Sequence, residues 1–138
     1  KHDTEVTGTI RVRLFFSTNV SDTDFFATVS DVNPDGRAIL ITEGIIRTRF
    51  RKSLTTPNFV KPGDIHEINI DSWETSNTFK AGHQIRLHIT SSNFPRFNRN
   101  LNTELPLGQG TYQDIRVAHQ TIYHNQSYPS SILLPVIP

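Results

Sequence analysis

Apolar and polar residues alternate along most of this chain with a period of two. The clearest example is the segment 84–90, in which Ile85, Leu87 and Ile89 alternate with polar residues. Successive side chains of a β-strand point to opposite faces of its sheet, so this pattern predicts half-buried strands. The predicted strands are 7–16, 25–32, 37–42, 65–70, 85–89, 115–123 and 131–136, with an extended segment at 45–51.

Turn-forming residues separate the predicted strands. Asn33-Pro34-Asp35-Gly36 is a strong hairpin signal, residues 72–80 suit a short helical turn, and 80–82 form a turn into the strand at 85–89. No convincing helical periodicity is sustained along the chain. About eight short strands predict an all-β fold, a jelly-roll β-sandwich, for a single domain over residues 1–138.

The least ordinary segment is the loop that follows the strand at 85–89. Phe94, Pro95 and Phe97 are interleaved there with arginines and with Asn98 and Asn100. Pro95 excludes a central strand, and asparagines favour turns that bond to their own backbone. Two interpretations remain open: the phenylalanines close one end of the domain's own core, or the loop belongs to an interface.

Composition excludes several classes of function. The 138 residues are 35% hydrophobic and 20% charged, with a formal net charge of +1, so no electrostatic argument favours nucleic acid or a membrane surface. No apolar run approaches the roughly 20 residues of a membrane helix. The sequence has no cysteine and therefore no disulfide, thiolate metal site or cysteine nucleophile.

No self-contained catalytic site is predicted. None of the seven glycines frames a serine in the Gly-x-Ser-x-Gly pattern that an α/β-hydrolase uses to expose its nucleophile. The six histidines are scattered without the spacing of helical metal ligands, and no cofactor is expected.

Two neighbouring aspartates offer the best alternative chemistry. Asp22 and Asp24 could hold a divalent cation, but aspartates at a turn more often bond backbone amides or pair with arginine. Arg47, Arg49 and Arg51 alternate on one predicted strand and are the expected partners. We therefore favour structural ion pairs over a metal site and over a site for a free anion.

Seven collinear blocks of the sequence resemble one family, the C-terminal domain of the X-Pro dipeptidyl-peptidase and cocaine-esterase/NonD group of serine hydrolases. The resemblance covers residues 6–136. The blocks are VTG at 6–8, SDTDF at 21–25, PDGRA at 34–38, EGIIRTRFR at 43–51, TSNTFKAGHQIRL at 75–87, SSNFPRFNRN at 91–100 and YPSSILLPV at 128–136.

The resemblance implies a galactose-binding-like jelly roll that packs against the α/β-hydrolase and cap domains of a longer chain and helps to wall the substrate pocket. The catalytic triad would then lie outside residues 1–138, and this chain would be a fragment of a larger enzyme. Candidate interface or scaffold residues are Asp22, Asp24, Arg47, Arg49, Phe94, Pro95, Phe97, Asn98 and Asn100.

Two alternatives stay open at the level of sequence. A stand-alone carbohydrate-binding module could share the same architecture, because a fold does not fix a function. A homo-oligomer is the other alternative, since an apolar docking patch without its partner favours self-association.

Overall fold

The computed structural model describes residues 2–138, whose strands form two facing antiparallel sheets. Sheet A consists of β1, β4, β6 and β7, and sheet B of β2, β3 and β5. The strands are β1 Thr4–Thr18, β2 Asp24–Val32, β3 Ala38–Arg47, β4 His66–Phe79, β5 Gln84–Thr90, β6 Gln120–Tyr123 and β7 Ser131–Leu133. Single 3-10 turns lie at Thr48–Phe50 and Tyr112–Asp114.

The strand order places β1 and β2 at the centres of the two sheets. β1 lies between β4 and the short strands β6 and β7, while β2 lies between β3 and β5. The all-β sandwich predicted from the alternation is therefore confirmed, and the narrower galactose-binding-like classification stays a prediction. None of the helices found within residues 2–138 is long and apolar enough to cross a membrane.

The core between the sheets has two parts, one towards each end of the sandwich. Phe16 and Phe25 meet edge to face in the larger part, with ring centroids 4.7 Å apart. The smaller part contains Val29 and Phe79. The larger part contains Val12, Leu14, Phe16, Phe25, Ala27, Val60, Ile68 and Ile70, and the smaller contains Val6, Ile10, Val29 and Phe79.

One long edge of the sandwich is closed where β3 approaches β4. The Thr42 hydroxyl donates to the Trp73 carbonyl at 2.8 Å. A Cβ atom at Gly44 would lie 2.5 Å from the Asp71 carbonyl oxygen, so only glycine permits this approach. Any larger side chain at Gly44 would therefore push the two sheets apart at this edge.

The helical turn predicted at 72–80 is wrong. β4 continues to Phe79 because its second half pairs with the first half of β1, where the Thr7 and Ser76 hydroxyls lie 2.9 Å apart. The strand predicted at 115–123 is also too long, since only Gln120–Tyr123 pairs with β1. The residues before it belong to a long irregular loop.

Two further details differ from the predictions. The extended segment at 45–51 ends as a strand at Arg47 and continues as a 3-10 turn. The alternation at 85–89 is real, but β5 is an edge strand and Ile85 remains partly exposed at the end of the sheet. The centre of the fold is instead β2, which is buried along nearly its whole length.

The strands define two ends of the sandwich. The charged end comprises the turn at 18–24, the segment 47–64, and two consecutive loops, loop 91–102 and loop 103–119. The hairpin end comprises the turns at 33–37 and 80–83.

Candidate functional site

The register of sheet B brings the predicted aspartates and arginines together at the charged end. Asp24, the first residue of β2, lies opposite Arg47, the last residue of β3. Arg47 donates two hydrogen bonds of 2.8 Å to the two carboxylate oxygens of Asp24. These parallel bonds orient the guanidinium group, and the bonded Asp24 carboxylate raises the pKa of Arg47.

The second pair is more deeply buried. Arg49 Nε donates to Asp22 Oδ2 at 2.8 Å, and both side chains are almost completely removed from solvent. Asp22 Oδ1 also accepts from the Arg49 backbone N–H at 2.8 Å and from the Thr48 hydroxyl at 3.0 Å. A buried carboxylate is tolerated only when such bonds replace its hydration.

The remaining donors of Arg49 fasten the neighbouring loop. Its terminal nitrogens donate to the carbonyls of Thr103 and Leu105, and its guanidinium lies 5.0 Å from the centroid of the Phe59 ring. Arg51, the third arginine of the alternation, bonds to backbone carbonyls rather than to an aspartate, and burial lowers its pKa.

Asn100 joins loop 91–102 to both aspartates. Its amide nitrogen donates to Asp22 Oδ2 at 2.9 Å and to Asp24 Oδ1 at 2.8 Å. Its oxygen accepts the backbone N–H of Asn102 at 2.9 Å. The ion pairs expected for Asp22 and Asp24 are present, and their oxygens are engaged by arginine and amide donors. Residues 2–138 contain no group of three or more His, Cys, Asp or Glu side chains suited to hold a metal.

The other side of loop 91–102 is fixed to the outer face of sheet B. Arg96 lies 2.8 Å from Glu43 in an ion pair, and Asn93 donates to the same carboxylate at 3.3 Å. The Phe97 ring covers Phe26, with centroids 5.3 Å apart. Phe97 therefore extends the packing of the fold on the outer face of sheet B, rather than closing an end of the core between the sheets.

Phe94 behaves differently. It is 58% exposed, its bond to Pro95 is cis, and the guanidinium of Arg99 lies 4.6 Å from the centre of its ring. Pro95 and Asn98 are also exposed. The interpretation of both phenylalanines as core residues is therefore wrong for Phe94.

A pocket of about 330 Å³ lies beside the network. Its polar wall comprises Arg47, Arg49, Asn98, Arg99 and Asn100, and its other wall is the segment 105–110. Loop 103–119 then continues across the charged end to the short 3-10 turn.

That turn is held by a capping box. The Asp114 carboxylate accepts from the Thr111 backbone N–H at 2.7 Å and from its hydroxyl at 2.9 Å. The backbone hydrogen bond is the main reason that the pKa of Asp114 lies below its ordinary value. Beyond the turn, the Arg116 backbone N–H donates to the Leu101 carbonyl, which fastens loop 103–119 to loop 91–102.

The structure thus joins five of the nine candidate residues, Asp22, Asp24, Arg47, Arg49 and Asn100, by direct contacts. The other four, Phe94, Pro95, Phe97 and Asn98, lie on the same loop as Asn100. The sequence patterns did not predict that Glu43, Arg96 and Thr48 anchor the network, or that Arg99 contacts Phe94. The position of Arg96 and Arg99 among the aromatic residues of loop 91–102 was the sequence feature that could have identified them. No local pattern identified Glu43 or Thr48.

The contacts of a catalytic triad are not found among residues 2–138. Within residues 2–138, the only histidine ring bonded to a carboxylate is that of His83, which contacts Asp31. No serine hydroxyl in these residues forms a hydrogen bond with a histidine ring. A nucleophilic triad requires one histidine ring that bonds to both the serine hydroxyl and the carboxylate.

Comparison with known proteins identifies the family. Residues 1–133 match the family model described as the X-Pro dipeptidyl-peptidase C-terminal non-catalytic domain. Cocaine esterase of Rhodococcus sp. strain MB1 Bresler is 44% identical over 133 residues, which cover 96% of this chain and 23% of that protein.

Two solved structures agree. An aminopeptidase from a marine sediment Thaumarchaeota archaeon superimposes with a TM-score of 0.95 at 30% identity, covering all of this chain and 24% of that one. An α-amino acid ester hydrolase gives a TM-score of 0.94 at 28% identity, over 99% of this chain and 24% of its own. The chain spans about a quarter of the length of these relatives and belongs to the X-Pro dipeptidyl-peptidase C-terminal non-catalytic domain family.

Proposed function

We propose that this domain braces the α/β-hydrolase and cap domains of a longer serine hydrolase and helps to shape that enzyme's substrate pocket. The support is twofold: the family is described as non-catalytic, and the relatives that the chain matches are about four times longer than the matched segment. The bond cleaved would be an ester or an amide, by acyl transfer through a serine in the other part of the polypeptide.

The exposed apolar side chains of the charged end are the observation on which the proposal rests. Phe94, Leu107, Tyr112 and Val117 are each more than half exposed, although loops 91–102 and 103–119 are held in place by partly buried hydrogen bonds. Ordered apolar groups collected on one side of a domain are typical of a surface that another protein surface covers.

The buried network explains why such a surface can be built from loops. Loop 91–102 is bonded to Glu43, Asp22 and Asp24. The start of loop 103–119 is bonded to Arg49 through the carbonyls of Thr103 and Leu105. A fixed loop loses less conformational entropy when it docks than a mobile loop does. The stand-alone carbohydrate-binding alternative is not favoured by the comparisons.

The proposal is tested by removing the domain. The full-length protein and a variant lacking residues 1–138 are compared for hydrolysis of nitrophenyl esters and Ala-Pro-nitroanilide, and for the half-life of activity on heating. We expect the truncated protein to lose activity much faster on heating, and the isolated chain to hydrolyse neither substrate.

A pair of substitutions makes the test specific for the charged end. Leu107→Asp should shorten the half-life of the full-length enzyme, whereas Leu40→Asp on the outer face of sheet B should not; the two leucines are 54% and 52% exposed. Equal behaviour of the truncated and intact enzymes would contradict the proposal.

A further inference from the structure

Among the arginines of the charged end in the described residues, Arg99 is the one whose side chain has no polar partner. Within residues 2–138, its guanidinium has no ion pair or hydrogen bond, whereas Arg47, Arg49, Arg51 and Arg96 all have one. Its one close partner is the Phe94 ring, at 4.6 Å from the centroid. Stacking on an aromatic face orients a guanidinium group and leaves its N–H donors free at the edge.

The free donors line the pocket beside the network. Arg99 and Asn98 both contribute to its wall, and the Asn98 amide likewise has no hydrogen bond in the described part of the chain. Arg47 lines the same pocket and uses Nε and one terminal nitrogen for Asp24, so that its other terminal nitrogen has no hydrogen bond. The wall therefore presents several donors that have no hydrogen-bond partner within the described residues.

The balance of charge at this pocket is positive. Asp22 and Asp24 are each matched by one arginine, so their charges are compensated within the network. Asp114 lies behind Gly110, but its carboxylate is already bonded to Thr111 and lies near Arg116. Arg99 is the cation left over.

We infer that this pocket is a socket for a carboxylate side chain presented by the catalytic part of the longer polypeptide, an inference that rests on the proposed function. A carboxylate fits the parallel N–H donors of a guanidinium group, and an amide beside it can supply a third hydrogen bond. Apolar residues also line the pocket, among them Leu105 and Leu107. The Phe94 ring lies against Arg99 of the polar wall. An acidic side chain on an apolar protein surface would contact both the polar wall and the apolar residues of the pocket, whereas a freely dissolved anion would contact only the polar wall.

The socket predicts that Arg99 matters only when the domain is docked. In the isolated chain, Arg99→Gln should shift the midpoint of thermal unfolding by no more than about 2 °C, because only the contact with Phe94 is lost. In the full-length enzyme the same change should shorten the half-life of activity on heating by about tenfold, since it leaves a desolvated carboxylate without its partner. Arg99→Lys keeps the charge without the paired donors and should give an intermediate half-life.

Arg86→Gln is the matched control. Arg86 is also exposed and without an ion pair in the described residues, but it lies on β5 away from the pocket. If Arg99→Gln affects the full-length enzyme no more than Arg86→Gln does, the socket is overturned. A large loss of stability of Arg99→Gln in the isolated chain would overturn it too, because Arg99 would then support the fold itself.

The design separates this inference from the proposed function. If Arg99→Gln behaves as the control while Leu107→Asp still shortens the half-life, the carboxylate contact is wrong and docking stands. If deletion of residues 1–138 is also without effect, the proposed function has failed and the socket fails with it.

Discussion

The two ends of the sandwich are closed in different ways. At the hairpin end, short turns join the strands, and the Lys80–His83 turn is tied down by Asp3, through bonds to Lys80 and Ala81, and by Asp31, through His83. At the charged end, residues 91–119 separate β5 from β6 with a single 3-10 turn between them. A long loop over a core end requires partners for its own backbone and polar groups.

The charged end meets this requirement chiefly with buried ion pairs and their hydrogen bonds. Asp22 and Arg49 are buried and bond to Thr48, Thr103, Leu105 and Asn100. Removing a partner from such a network leaves a buried charge, so its cost should exceed that of any single contact at the hairpin end. The comparison also shows why the charged end can expose apolar residues: its loops are held from beneath, and their outward side chains are free to contact another domain.

The largest effect is expected for Arg49→Met. This change removes the guanidinium group, leaves the buried Asp22 carboxylate without its ion pair, and frees the carbonyls of Thr103 and Leu105. The free energy of unfolding of the isolated chain should fall by about 3–5 kcal/mol, as measured by urea denaturation.

His83→Ala is the corresponding change at the hairpin end. It removes a single 2.9 Å contact with Asp31 between partly accessible side chains, and should cost about 1–2 kcal/mol. If this loss equalled that of Arg49→Met, the contrast between the two ends would be wrong.

A smaller effect distinguishes the two phenylalanines of loop 91–102. Phe97→Ala removes the ring that covers Phe26 and should lower the free energy of unfolding by about 2 kcal/mol, less than for a fully buried phenylalanine. Phe94→Ala should lower the free energy of unfolding by much less, because the Phe94 ring is mostly exposed. Denaturant melts of the two variants measure the difference, and a Phe94 loss as large as that of Phe97 would contradict its assignment to the docking surface.

The smallest effect concerns the capping box of loop 103–119, and it depends on pH. Hydrogen bonds from Thr111 lower the pKa of Asp114 in the folded state, so the ionised carboxylate adds stability above its unfolded pKa, and this contribution is lost as the pH falls through the folded pKa. Asp114→Asn should therefore lower the thermal midpoint at neutral pH, and the difference from the unchanged chain should narrow in acid. If the difference in thermal midpoint between the two proteins instead widened as the pH fell, the ionised Asp114 carboxylate would not be stabilising the fold.

Part of the site could be predicted from the sequence because it follows from strand periodicity. The alternation of Arg47 and Arg49 near a pair of aspartates indicated ion pairs, and the register of β2 against β3 places Asp24 opposite Arg47. The helical turn expected at 72–80 was wrong because a local pattern of polar residues does not reveal that β1 is long enough to pair with all of them.

The sequence by itself determined the class of fold, the family and the loop in which the unusual chemistry lies. The fold class and the loop follow from residues close together in the chain, and the family follows from the order of seven short blocks along it. The tertiary structure alone decided which aromatic ring is covered and which is free, that Glu43 anchors Arg96, and that one amide of Asn100 bridges Asp22 and Asp24. Asn100 and Asp22 are 78 positions apart. Such contacts depend on how two sheets and a long loop meet in space, and the periodicity of side chains along one strand does not specify that meeting.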